Sequence, residues 1–231
     1  MKKPYNFFKD LTVFERGLWI ISIIVVSLSF LFSNGGWLEL IASLIGVTAL
    51  IFVAKGYVLG QILSVVFALF YGYISFHFKY YGELITYVFM TAPIALAAVI
   101  SWLRNPYKDT AEVTVSKITK KQVMLISLAA LAVTAVFYFI LKAFDTANLF
   151  FSTLSVTTSF LAVSFTYYRS PYYALAYSAN DIVLIILWIL ATIENISYLP
   201  MIFCFIMFLA NDLYGFYNWR RMRNRQENNH G

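Results

Sequence analysis

Eight runs of apolar residues, each close to twenty long, follow one another with short polar breaks between them. They cover about 17–33, 37–54, 57–77, 82–102, 122–144, 147–167, 171–193 and 197–218. A helix of roughly 20 apolar residues crosses about 30 Å of hydrocarbon. The pattern therefore predicts an all-α integral membrane protein with eight transmembrane helices. A β-barrel would show segments of about ten residues with alternating polarity, and the runs do not alternate. The first run leads directly into the others with no small-residue cleavage motif after it, so it reads as a span rather than a cleaved signal. Composition agrees: 61% of the 231 residues are hydrophobic and 12% charged, about half the charge of a soluble domain.

The basic residues orient the spans. If both termini are cytoplasmic, fifteen of the seventeen Lys and Arg fall on one side. They are Lys2, Lys3, Lys9 and Arg16, then Lys55, then Arg104, Lys108, Lys117, Lys120 and Lys121, then Arg169, and finally Arg220, Arg221, Arg223 and Arg225. Only Lys79 and Lys142 fall opposite. This asymmetry is the positive-inside pattern, and a wrong span count would mix the two groups. The net charge of +6 thus belongs to topology and lipid contact, with no nucleic acid as partner.

Soluble-enzyme chemistry finds no foothold. Cys204 is the lone cysteine, and His77 and His230 are too few and too distant for a metal cluster. There is no phosphate loop and no nucleophile elbow. Asp181 and Asp212 lack the G-x-G-D pattern of an intramembrane aspartyl protease. We expect neither an enzyme nor a bound metal or cofactor.

Two stretches echo each other. Lys55-Gly56-Tyr57 opens the third span and Arg169-Ser170-Pro171-Tyr172 the seventh. Ser101-Trp102-Leu103-Arg104 closes the fourth and Asn218-Trp219-Arg220-Arg221 the eighth, 117 residues later. By parity the two three-helix units share one orientation. The predicted architecture is a peripheral first helix plus 3+1+3 parallel repeats. Repeat one covers about 37–104, the linker helix about 122–144 and repeat two about 147–221. Parallel repeats of this kind place a substrate between them near the midplane. Pro93, near the centre of the fourth span, suggests a bend that serves either packing or gating.

Polar residues inside such spans usually face a cavity, a pathway or a partner. Two Asn-Asp steps stand out, Asn180-Asp181 and Asn211-Asp212. Asn180, Leu184 and Trp188 share one helical face, as do Asn211, Tyr214 and Asn218; each aspartate points about 100° away. Gln61, Ser64 and Tyr71 on the third span and Thr86, Tyr87 and Thr91 on the fourth are the candidates from the first repeat. Two readings stand for the aspartates, a clasp between helices or a charge that attracts a cation. The hydroxyl run from Ser152 to Ser159 reads as helix packing or as pathway. Tyr5, Tyr57, Tyr80, Tyr81, Tyr198 and Tyr217 read as interface anchors.

The stretches WLELIASLIGVTALIFVAKG, GQILSVVFALFYGYISF, YYGELITY, NDIVLIILW and NDLYGFYNWRR resemble the PnuC family of vitamin transporters. The resemblance spans essentially residues 17–222. It implies a SWEET-like fold in a bacterial inner (plasma) membrane, with both termini cytoplasmic. It also implies a homotrimer, and uptake of nicotinamide riboside by facilitated diffusion, feeding NAD biosynthesis. Relatives carry thiamine, deoxynucleosides or riboflavin, so the cargo stays open at this level. Asn180 with Trp188, and Asn211 with Tyr214, resemble the family's substrate-binding motifs. Together with Gln61, Tyr87 and Tyr71 they form the expected site. An amide suits a carboxamide or ribose hydroxyls, and an aromatic face suits a pyridinium ring.

Overall fold

The computed structural model describes residues 8–33, 36–77 and 81–229. Lys2, Lys3, Tyr5, Lys79, Tyr80 and His230 lie outside these residues, as do the side chains of His77 and Tyr81. The helices are α1 (Val13–Ser33), α2 (Trp37–Ala54), α3 (Val58–His77), α4 (Tyr81–Ile85), α5 (Ala92–Leu103), α6 (Lys120–Ala143), α7 (Leu149–Tyr167), α8 (Tyr172–Glu194) and α9 (Leu199–Asn228). A π-helical turn, Thr86–Thr91, joins α4 to α5, so the pair makes one span. Among the described residues, eight spans are long and apolar enough to cross a membrane. Their apolar residues are largely exposed on the outside of the bundle, as a lipid-facing surface requires.

Pro93 explains the π turn. Proline has no N–H, so one carbonyl in the preceding turn loses its donor. The backbone widens by one residue there, and Ala92 N–H bonds the carbonyl of Tyr87, five residues back. Such insertions accommodate a break and redirect side chains. Here Tyr87 and Met90 are buried.

The two trios interlock reciprocally. In the first, α3 packs on both α2 and α5; in the second, α8 packs on both α7 and α9. Across the junction α2 meets α9 and α7 meets α5. The first helix of each trio thus touches the last helix of the other. The extra helices are placed alike: α1 leans on α2 and α6 on α7. The linker α6 is the most lipid-exposed span, with Leu128, Leu131, Val136 and Phe139 all facing outward.

The correspondence reaches single hydrogen bonds at the end of the bundle that carries the basic clusters, hereafter the basic end. α2 and α7 both end in a Schellman motif, in which two N–H groups beyond the helix cap its last carbonyls. Gly56 N–H bonds Val53 O and Tyr57 N–H bonds Phe52 O; Arg169 N–H bonds Thr166 O and Ser170 N–H bonds Phe165 O. The left-handed position is Gly56 (φ 70) in one and Arg169 (φ 55) in the other. The two tryptophans then cross over. Trp102 Nε1 donates to Thr166 O at 2.9 Å and Trp219 Nε1 to Val53 O at 2.8 Å. Their neighbours do the same: Ser101 Oγ bonds Tyr167 O at 2.9 Å and Asn218 Nδ2 bonds Ala54 O at 2.8 Å. The indoles meet at the junction, with ring centroids 5.3 Å apart and no exposed surface.

The 105–119 segment lies across this end. Val113 N–H bonds Gly56 O and Ser116 N–H bonds Arg169 O, so one strap ties both left-handed turns. Gln226, on the extension of α9, clamps the strap through Val113 O and Val115 N. Lys117 pairs with Glu227 and Arg225 with Glu112. The basic end is therefore shut.

Candidate functional site

At mid-depth, between the trios, a chamber of about 70 Å³ is lined from both sides. α2 contributes Gly46 and Val53, α3 contributes Gln61, Ser64 and Phe67, and the π turn contributes Tyr87 and Thr91. α7 adds Ser159, α8 adds Tyr177, Asn180 and Asp181, and α9 adds Phe205, Phe208 and Asp212. Asn180 is 5% exposed, Asp181 2% and Asp212 3%. Polar groups withdrawn this far from water are costly unless bonded.

The Asn180 amide is held by α7. Thr158 and Ser159 bring their hydroxyls to Oδ1 at 2.8 and 3.0 Å. That turns the two N–H donors to the chamber. Part of the hydroxyl run on this span thus positions an amide, while Thr153 and Thr157 bond their own helix backbone and Thr157 meets Thr134 of α6. Gln61, also buried, presents a second amide from the opposite trio.

An aromatic partition separates this chamber from the opposite, acidic end. Phe67 stands edge-on to Phe208 (5.8 Å) and to Tyr87 (6.2 Å), and Phe205 packs on Phe208 (5.4 Å). Gly46 makes room for it, since a Cβ there would lie 2.5 Å from Phe208 Cζ. Beyond the partition, a cavity of about 260 Å³ shares Phe67 and Phe205 as its floor and has Glu39, Tyr71, Trp188 and Tyr198 in its walls. A wider recess of about 590 Å³ lies on the other face of Trp188 and holds Glu83, Asp145 and Glu194.

The expected site residues therefore divide. Asn180, Gln61 and Tyr87 line the chamber. Tyr71 and Trp188 line the outer cavity, Tyr71 against Tyr87 (4.5 Å) and Trp188 against Tyr198 (5.6 Å). Asn211 and Tyr214 turn away to α1. Asn211 Nδ2 donates to Ser22 Oγ at 3.0 Å and to Met207 O at 2.7 Å. Tyr214 OH donates to Glu15 Oε1 at 2.6 Å. Glu15, 1% exposed, also takes the Thr12 N–H and pairs with Lys55 Nζ at 3.4 Å. α1 lies outside the trios, yet it is bonded to both α2 and α9. If Tyr214 serves this contact, Tyr214→Phe leaves cargo affinity within about twofold and lowers stability by about 1–3 kcal/mol, because a buried carboxylate loses a donor. Thermal unfolding in detergent beside a binding titration checks both halves.

Sequence reasoning missed that both aspartates face the chamber. On α9 it favoured the stripe that α1 covers, and Asp212 is the member turned inward. The warning sign was present: a polar stripe needs a partner, and α1 carries Glu15 and Ser22 at matching depth.

Two helical trios closed over a polar chamber, with wide approaches at one end, form a multi-pass membrane transporter. The chain belongs to the nicotinamide mononucleotide transporter family, whose profile matches residues 36–221. It is 25% identical over 220 residues to the nicotinamide riboside transporter PnuC of Neisseria mucosa, covering 93% of this chain and 83% of that one. It is 23% identical over 214 residues to the nicotinamide riboside transporter PnuC of Haemophilus influenzae, covering 90% of each. A crystal structure of the vitamin B3 transporter PnuC superposes with a TM-score of 0.81 at 25% identity, covering 94% of both chains. The family match begins after α1.

Proposed function

We propose that this protein carries nicotinamide riboside across a bacterial inner membrane by alternating access, with both termini and the basic end cytoplasmic. The observation that carries the reading is the chamber itself. It sits between two reciprocally packed trios and gathers amide, hydroxyl and aromatic groups from both. Two relatives, matched over most of their length, are named for that cargo.

In this reading the structure is closed inside and approachable from outside. Glu39, Glu83, Asp145 and Glu194 around the outer approaches draw in a cation. Trp188 and Tyr71 form the apolar walls of the entry. The chamber has the volume of a few waters, so Phe67 and Phe205 swing aside to admit a nucleoside. The ring then lies against Tyr87 and Phe67, and Asn180 and Gln61 bond the carboxamide and ribose. Rocking of the trios breaks the tryptophan crossover and opens the basic end. A monocation entering a negative interior gains about 2.3 kcal/mol per 100 mV, so no coupling ion is needed.

The test is uptake of labelled nicotinamide riboside by liposomes holding only this protein. Saturable flux that unlabelled cargo competes away is expected; its absence sinks the proposal. Thiamine, a deoxynucleoside and riboflavin serve as rival cargoes in the same assay. The reading includes a homotrimer, which light scattering on the detergent-solubilised protein tests.

A further inference from the structure

The Thr91 hydroxyl stands apart from other hydroxyls of the spans. Thr48, Ser64, Thr134, Thr157, Thr166 and Thr192 each donate to the carbonyl four residues back, a common way to satisfy a hydroxyl inside a helix. Thr91 Oγ1 is buried and has no hydrogen-bond partner. The carbonyl four residues before it is Tyr87 O, which accepts from Ala92 N–H in the π turn. The wider turn shifts the ladder by one residue and leaves Oγ1 without its own backbone as partner. The side chain lines the chamber instead. A buried hydroxyl with no partner is costly, and π insertions are frequent at functional sites.

A second oxygen in the same chamber is also unspent. Asp181 lines it from the other trio, and its Oδ2 is buried with no hydrogen-bond partner. Ser64 and Ser159, which line the chamber too, already bond Gly60 O and Asn180 Oδ1. We propose that Thr91 is a specificity-determining residue whose hydroxyl binds a ribose hydroxyl of the cargo, with Asp181 Oδ2 as the matching oxygen on the opposite wall. The proposal rests on the transport reading above and deepens it. A hydroxyl both donates and accepts. Neighbouring sugar hydroxyls therefore suit an O–H on one wall and a bare carboxyl oxygen on the other. Depth agrees. This span runs toward the basic end, so Thr91 lies about 6 Å beyond Tyr87, where the ring is seated. A nucleoside whose ring rests against the aromatic partition has its sugar at that level. The cargo thus satisfies what the π turn leaves open, and a sugar lacking the hydroxyl leaves it stranded.

The test is a cycle between protein and cargo. Binding of nicotinamide riboside and of its 2′-deoxy and 3′-deoxy forms is measured on the native protein, Thr91→Val and Thr91→Ser. Valine keeps the shape and removes the hydroxyl. The native protein should bind one deoxy form roughly tenfold more weakly than the riboside, and Thr91→Val should bind the riboside roughly tenfold more weakly than the native protein does. The two losses should not add: Thr91→Val should bind that deoxy form and the riboside within about twofold of each other. Thr91→Ser should restore most of the affinity. The unfolding temperature of Thr91→Val should be at or above native, because no bond within the protein is lost. Native affinity in Thr91→Val, or a loss equal for all the probes, overturns the assignment and leaves the transport reading standing. So does a clear fall in its unfolding temperature. Failure of the native protein to bind the riboside overturns the transport reading, and this inference with it. Thr91→Ala runs the same cycle should valine not be accommodated.

Discussion

Replacing both gate tryptophans, Trp102→Phe with Trp219→Phe, is expected to open the basic end and raise its accessibility roughly thirtyfold. Each indole N–H reaches across the junction to a carbonyl of the other trio, at 2.9 and 2.8 Å. Such a bond contributes about 1 kcal/mol net. Two of them contribute about 2 kcal/mol, a factor of roughly 30 in the balance between closed and open forms. Phenylalanine keeps most of the packing between the rings. The stranded carbonyls keep one bond each, because Val53 O and Thr166 O also accept from Gly56 and Arg169. The fold should therefore survive while the closed state loses its advantage. The reporter is Ser64→Cys, a chamber position, on a Cys204→Ser background. A membrane-impermeant thiol reagent applied from the basic side should label it much faster in the double Phe variant. Equal labelling rates with and without the tryptophans would show that the crossover does not gate.

That crossover was half legible in the sequence. The matched Ser-Trp and Asn-Trp pairs at an offset of 117 announced a repeat, and parity set its direction. Their role was not legible, because each donor's acceptor lies in the other trio, and sequence spacing does not encode which helices cross. The shared Schellman ends were hidden for another reason. One uses Gly56 at the left-handed position, as expected of glycine; the other uses Arg169, which nothing local marks for that conformation. Its guanidinium is anchored instead, Nε to Thr114 O at 3.0 Å and Nη1 to Ser101 Oγ at 2.8 Å.

Span positions were read closely because apolar length is a local property. The inward face of each span was harder. A helix hydrophobic all round carries no strong moment, so direction has to come from rare polar residues. On α8 they sufficed for Asn180 but not for Asp181, which lines the same chamber although its place on the helix is about 100° away. On α9 they misled, because α1 supplies its own polar partners and claims the Asn211–Tyr214 stripe. Pro93 marked a break, and the π turn that it induces is what carries Tyr87 inward.

Asn180→Leu is expected to weaken cargo binding by roughly ten- to a hundredfold with little change in stability. Leucine is close to asparagine in size but offers no donor. Cargo seated in the chamber then leaves a carboxamide or ribose oxygen unpaired, at a cost of about 1.5–3 kcal/mol. The protein itself loses less. Thr158 also contacts the carbonyls of Leu154 and Ser155, both at 3.1 Å, so its hydroxyl stays satisfied within α7. Only Ser159 must find another acceptor. Binding energy and folding energy thus separate at this residue, which a purely structural amide would not allow. Titration calorimetry with nicotinamide riboside on the purified variant, beside thermal unfolding, reads both. Native affinity in a stable variant would move the recognition to Gln61, the other amide that faces the chamber from the opposite trio.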